Sequence, residues 1–116
     1  MKRQLVFSEL AREEAAQAHW HLHTRSPQTG EEFTASLRTT QANIHAFPFS
    51  HAVSSHFGDL EIRRARIGRF AYFFFYLVYP SVDFQTGEAL DVVAILGCRH
   101  ERQAEPNWQS RDPFRL

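Results

Sequence analysis

Four arginines lie within seven residues of the chain: Arg63, Arg64, Arg66 and Arg69. A guanidinium offers a planar fork of donors to phosphate or carboxylate, but it stays protonated and cannot act as a base. Near the C-terminus Arg102 follows His100, an imidazole that can transfer protons near neutral pH. These residue types predict a surface that binds an acidic partner or, with the histidine, a site for phosphate chemistry.

Three histidines recur along one predicted helix, at His19, His21 and His23. His19 and His23 are four residues apart, so they could share a metal ion. No third ligand is evident, and His21 points to another face, so histidines in contact with solvent are the favoured interpretation. Cys98 ends an apolar run and is interpreted as a small buried thiol. No metal or other cofactor is expected.

The composition indicates one folded domain, residues 1–116, with a single modest core. A hydrophobic fraction of 43% and 11 phenylalanines argue against disorder, and the single cysteine excludes an internal disulfide. The 13 basic and 13 acidic residues balance, which leaves only a local electrostatic case for nucleic acid, at the arginines. The N-terminus lacks the apolar core of a signal peptide, so a cytoplasmic protein without membrane association is expected.

The first half of the chain predicts a strand and two helices. Residues 4–7 read as a short strand, and Ser8 can cap the following helix. The apolar positions of that helix are Ala11, Ala15, Ala18 and Leu22. Ser26 and Pro27 predict the start of a second helix, which ends near Pro48. The residues that repeat with helical period in this second helix are Phe33, Leu37, Thr40, Ile44 and Phe47.

The second half predicts strands. Residues 49–58 show no period and are predicted to be a loop. A hairpin that turns at Gly68 is predicted from two strands, residues 60–67 and residues 70–79. Imperfect alternation in the first of them allows a bulge. The second of these strands should be buried on both faces and end at Pro80. Another strand, 90–96, continues toward Arg99, and the tail, 99–116, should be mostly irregular. The fold class is therefore α+β: a mostly antiparallel sheet with an antiparallel helical hairpin on one face, and the first strand paired with a late one.

Three motifs appear in this order of elements. The second helix ends in a hydrophobic-Pro step at Pro48. The hairpin reads IRRARIGRFAYFFFY, an Ile-Arg-Arg strand, a glycine turn and a strand that contains Tyr72 and Tyr76. The chain end reads HERQAEPNW, close to a His-x-Arg-Arg-x-x-Pro-x-Trp/Tyr pattern. Together they resemble the RelE/ParE superfamily of toxins from bacterial type II toxin–antitoxin systems, over residues 5–108.

The resemblance implies one of two activities. RelE-like members cleave messenger RNA on the ribosome without metal, whereas ParE-like members bind and poison DNA gyrase. In RelE-like members an arginine follows the first tyrosine of the third strand, and a tyrosine near the C-terminus transfers protons. Here these places hold Phe73 and Trp108, and an indole N–H can only donate. These two departures favour a ParE-like toxin over a ribonuclease.

The resulting hypothesis is a plasmid-stabilisation toxin that is neutralised by a cognate antitoxin in a hetero-oligomer and binds gyrase. The predicted residues for target and antitoxin are Arg63, Arg64, Arg66, Arg69, Arg102 and Trp108. One alternative is a ribosome-dependent ribonuclease acting on mRNA through Arg64, Arg66, His100 and Arg102. Another is a degenerate member that binds only antitoxin. Structural alternatives are arginines that only solvate a strand, a core-capping Trp108, and a non-catalytic His100.

Overall fold

The computed structural model describes residues 2–111, in the order strand, two helices and four strands. The strands are β1 (Lys2–Phe7), β2 (Ala52–Phe57), β3 (Leu60–Arg66), β4 (Tyr72–Val82) and β5 (Ala89–His100). The helices are α1 (Glu9–Arg25) and α2 (Pro27–Ala46), and a short 3-10 helix covers Trp108–Ser110. The sheet order is β1-β5-β4-β3-β2, with β1 parallel to β5 and the other pairs antiparallel. The α+β class and the late partner of the first strand are confirmed.

Hydroxyl caps begin both helices, as the sequence predicted. Ser8 Oγ accepts a hydrogen bond from the amide of Ala11 at 3.0 Å, and Ser26 Oγ accepts one from that of Thr29 at 3.4 Å. The second helix ends one residue earlier than its predicted apolar stripe. Phe47 was placed on that stripe, which is wrong, because it is the C-cap and its side chain is exposed. No helix within residues 2–111 is both long and apolar enough to cross a membrane.

The helices cover one face of the sheet, and we call the opposite side the open face. The buried cluster on the helix side is Ala11, Ala18, Phe33, Ile44, Ala65, Ile67, Phe70, Phe74, Tyr76, Val93, Ile95 and Cys98. The buried cluster on the open face is Ile62, Phe75, Leu77, Ala94, Leu96 and Trp108. Successive residues of β4 enter different clusters, which confirms that its central part is buried on both faces. The buried thiol of Cys98 is also confirmed.

The loop predicted for residues 49–58 is wrong, because most of this segment forms β2. The strand pairs with β3 at the edge of the sheet, with a shift of register between Val53 and Ser55. Its first three residues are all exposed, so no alternating set of side chains is buried and no period of two appears in the sequence. The bulge that the pattern allowed in residues 60–67 lies instead in this partner strand.

The β3–β4 hairpin turns at Gly68, whose φ of +55° is left-handed and suits glycine. β4 begins two residues later than predicted and, against the prediction, continues past Pro80. Proline is tolerated there because β3 pairs with β4 only as far as Tyr76, so no partner needs the missing amide on that side. In the predicted irregular tail, β5 extends to His100 and one 3-10 turn follows later. Residues 112–116 lie outside the described part.

Candidate functional site

Arg64 and Arg66 project from β3 beside one aromatic ring of the open face. Their partners in β4 are Phe75 and Phe73. The guanidinium carbons lie 5.1 Å (Arg64) and 5.7 Å (Arg66) from the centroid of the Phe73 ring. Each such contact contributes about 0.5–1 kcal/mol at an exposed site. Both arginines are exposed, so the ring orients two cations that a partner can reach.

A cavity of about 230 Å³ opens beside this arginine pair. Its lining comes from four strands and the C-terminal segment: Ser54, Arg64, Phe73, Phe75, Arg99, His100, Glu101, Gln103 and Glu105. Glu101 forms an ion pair with Arg66 at 3.8 Å, and Glu105 accepts a hydrogen bond from Ser54. Neither glutamate was predicted from the sequence, although both lie inside the C-terminal HERQAEPNW motif. The site is therefore mixed in charge rather than purely basic.

His100 ends β5 and meets this cavity with a defined ring orientation. Its Nδ1 accepts a hydrogen bond from the amide of Arg102 at 3.1 Å, and the Tyr72 ring meets it edge-on at 5.0 Å. A neutral imidazole that accepts at Nδ1 carries its proton on Nε2. The Arg102 side chain is exposed and lies outside the cavity lining. Arg64 and His100 thus line the same cavity, whereas Arg102 does not line it.

The other two arginines of the cluster are bound within the chain. Arg63 faces the helix side, and its Nη1 donates to the carbonyls of Phe49 and His51 at 3.1 and 2.7 Å. Arg69 lies in the hairpin turn and forms an ion pair with Glu32 of α2. Arg63 therefore fixes the segment that leads into β2. The Arg63 side chain, only 15% exposed, is therefore less available to a partner than the arginine pair on the open face, whereas Arg69 is 67% exposed.

Trp108 is only 3% exposed and packs on the sheet. The centroid of the Trp108 ring lies 5.2 Å from that of the Phe75 ring. The guanidinium carbon of Arg111 lies 5.4 Å from the same Trp108 centroid. The indole N–H is buried and has no hydrogen-bond partner among residues 2–111. This geometry favours the core-capping alternative for Trp108 over an exposed binding anchor.

Glu14 of α1 links the C-terminal segment to the sheet, a role that was not predicted from the sequence. One carboxylate oxygen accepts from the Cys98 amide at 3.1 Å and from Arg111 at 2.8 Å, and the other accepts from Arg99 at 2.9 Å and from Arg111 at 3.1 Å. Burial alone would raise the pKa of Glu14, but the hydrogen bonds from Arg111, Arg99 and the Cys98 amide lower it overall. No local signal marks this role, because the partners lie 84 to 97 residues later.

Tyr76 anchors the hydrophobic-Pro step that follows α2. Its hydroxyl donates to the Pro48 carbonyl at 2.6 Å and lies 3.0 Å from His51 Nδ1. Burial raises the pKa of Tyr76 to about 12, against the opposing effect of nearby Arg63. Burial lowers the pKa of His51, and Arg63 adds to that shift. Tyr76 therefore stays protonated at neutral pH and positions the chain that follows α2.

The histidines of α1 pack against each other and against Trp20. The rings of His19 and His23 stack at 5.5 Å, and the Trp20 ring stacks on His23 at 5.6 Å. Of these three histidines only His21 is exposed, so the prediction of solvated rings fits it better than His19 and His23, which are half-buried. Within residues 2–111 no group of three or more His, Cys, Asp or Glu side chains is placed to hold a metal ion.

No family model matches the chain, and no curated protein matches it. The relation to the RelE/ParE superfamily therefore stays a prediction from the sequence motifs. The observed α+β fold, with its helical pair on one face of a mixed sheet, is consistent with that prediction.

Proposed function

We propose that this chain is the toxin of a bacterial type II toxin–antitoxin module of the ParE-like kind. It acts in the cytoplasm, where it inhibits growth by binding a protein target, with DNA gyrase as the expected one. A cognate antitoxin neutralises it in a hetero-oligomer, as in plasmid-stabilisation modules.

The arrangement around Phe73 is the observation that carries this proposal. Where a RelE-like ribonuclease is expected to hold an arginine, this chain holds an uncharged ring that supports Arg64 and Arg66. Trp108 takes the place of the expected proton-transferring tyrosine, and it is buried. The open face therefore keeps cations for binding, while two expected catalytic groups are missing from it.

Exposed guanidinium groups on a stiff strand suit an acidic protein surface. Arg64, Arg66 and Arg102 supply such groups, since all three side chains are exposed. Arg63 is half-buried and hydrogen-bonded within the chain, so we expect it to contribute less to partner binding, whereas Arg69 is exposed beside its ion pair with Glu32. An acidic antitoxin segment and an acidic target surface would then compete for the same arginine pair.

A metal-independent endoribonuclease is the second candidate, and the cavity favours it. Arg64, His100, Glu101 and Glu105 all line that cavity. An imidazole or carboxylate can take the proton of a 2′-hydroxyl while the 2′-oxygen attacks phosphorus. A second group then protonates the departing 5′-oxygen, and an arginine stabilises the charge on the phosphorane. These four cavity residues supply one imidazole, two carboxylates and one arginine for these roles.

Paired assays on the purified chain separate the two candidates. We expect inhibition of gyrase supercoiling, lost in the Arg64→Ala/Arg66→Ala double variant and kept in His100→Ala. Arg38→Ala, an exposed arginine on α2, is the matched control and should behave as the native chain. Cleavage of mRNA on ribosomes that His100→Ala abolishes, without loss of antitoxin binding, would establish the ribonuclease instead. A folded chain that causes no growth arrest would contradict both.

A further inference from the structure

The two arginines of the open face differ in what surrounds them. Arg66 forms an ion pair with Glu101 at 3.8 Å. Within residues 2–111 the Arg64 guanidinium forms neither an ion pair nor a hydrogen bond, and its one charge-related contact is with the Phe73 ring at 5.1 Å. One cation of the pair is therefore open to a partner, whereas the other already has a carboxylate beside it.

Glu101 is held in this place by the turn that follows β5. Its amide donates to the Ala71 carbonyl at 2.8 Å. Two more hydrogen bonds close the turn, from the His100 amide to Gln103 Oε1 at 2.8 Å and from the Gln103 amide to the His100 carbonyl at 2.9 Å. Because the backbone at Glu101 is fixed, only side chains have to be ordered for the pair with Arg66 to form.

The segment after this turn crosses the open face from β5 to β2. The Ala104 carbonyl accepts a hydrogen bond from Arg99 Nη2 at 3.0 Å, and the Glu105 carboxylate accepts one from Ser54 of β2. Glu101 and Glu105 line the same cavity of about 230 Å³ as Arg64. Two carboxylates of the chain itself thus lie beside the surface that is proposed to bind carboxylates of a partner.

We infer that Glu101 occupies Arg66 in place of a partner's carboxylate, and that an acidic segment of a partner protein displaces it on binding. Such a segment gains an ion pair at Arg64 but only exchanges one at Arg66, so Glu101 lowers the affinity of the arginine pair for acidic segments. The exchange is open to a partner because both members of the existing pair are about half exposed, 48% for Arg66 and 49% for Glu101. The inference rests on the proposed function in one respect, since it takes the arginine pair as the surface that binds an acidic partner.

A fluorescein-labelled polyglutamate peptide tests this inference on the full chain by fluorescence anisotropy at about 0.1 M salt. We expect the native chain to bind the peptide and Arg64→Ala/Arg66→Ala to lose that binding. Glu101→Gln should bind it about two- to fivefold more tightly, the range that corresponds to one exposed ion pair.

Two variants that remove the same charge are the matched controls. Glu88→Gln lies just before β5, at the end of the strand opposite to Glu101, and should leave the affinity within about 1.5-fold of the native value, since salt screens distant charges. Glu105→Gln removes a carboxylate from the same cavity, but one that is paired with no arginine in residues 2–111, and its amide oxygen can still accept from Ser54. The gain from Glu101→Gln should exceed the gain from Glu105→Gln by about twofold.

The outcomes of this assay are separate from those of the gyrase assay. A gain in Glu101→Gln no larger than in Glu105→Gln would overturn the inference, as would a native chain that binds a single-stranded oligonucleotide but not the peptide. If the peptide results are as expected while supercoiling is unimpaired, the gyrase target is refuted and the role of Glu101 stands.

Discussion

Replacing Glu14 of α1 by glutamine should lower the free energy of unfolding of the chain substantially. Glu14 accepts four hydrogen bonds, three of them from the guanidinium groups of Arg99 and Arg111. Its side chain is 15% exposed and that of Arg111 is 12% exposed. Removing one member of a fully buried ion pair costs about 3–5 kcal/mol, and partial solvation reduces this to about 2–3 kcal/mol here. Urea unfolding at pH 7 measures the change in the free energy of unfolding.

The pH dependence of the stability difference between the native chain and Glu14→Gln shows whether the Glu14 carboxylate causes it. Because the pKa of Glu14 is lower in the folded chain, its contribution to stability is present above the ordinary value of 4.5 and is lost as pH falls through the folded value. The difference in the free energy of unfolding between the native chain and Glu14→Gln should therefore become smaller below about pH 4.5. Glu13→Gln, an exposed neighbour on the same helix, should stay within about 0.5 kcal/mol of the native chain. Equal losses for both variants, or a gap that does not change with pH, would refute the role of Glu14.

Further predictions concern the buried polar groups. Tyr76→Phe leaves the Pro48 carbonyl without its donor and should lower the free energy of unfolding in urea by about 1–3 kcal/mol. Tyr72→Phe, the control, should lower it by about 0.5 kcal/mol or less. Similar losses in both variants would contradict the anchoring role of Tyr76. Burial, together with Glu14, raises the pKa of Cys98 to about 12, so a thiol reagent at pH 8 should label the chain only after unfolding. Rapid labelling of the native chain would contradict the buried position.

Local signals predicted the helices and the hairpin turn because the cause of each feature lies within a few residues. Ser8 and Ser26 cap helices through amides three residues away, and Gly68 has the left-handed backbone that its turn requires. Pro80 shows where such local rules stop. It stays inside β4 because β3 has already ended, which only the pairing of the strands reveals.

Long-range contacts decided the parts of the site that the sequence left out. Glu14 resembles any acid in the first turns of a helix, and only the packing of the tail brings Arg111 to it. Strand β2 was missed because its side chains are exposed on both faces at its start, so burial imposed no pattern. The arginine cluster was found from composition. Whether Arg63, Arg64 and Arg66 reach the open face depends on which face of β3 each occupies, and Arg69 lies beyond the strand, in the hairpin turn.

Gyrase supercoiling of relaxed plasmid DNA, measured against increasing amounts of the purified chain, tests the proposed function most directly. The expected result is dose-dependent inhibition that the cognate antitoxin reverses and that Arg64→Ala/Arg66→Ala lacks. Unimpaired supercoiling, together with ribosome-dependent mRNA cleavage by the same preparation, would contradict it.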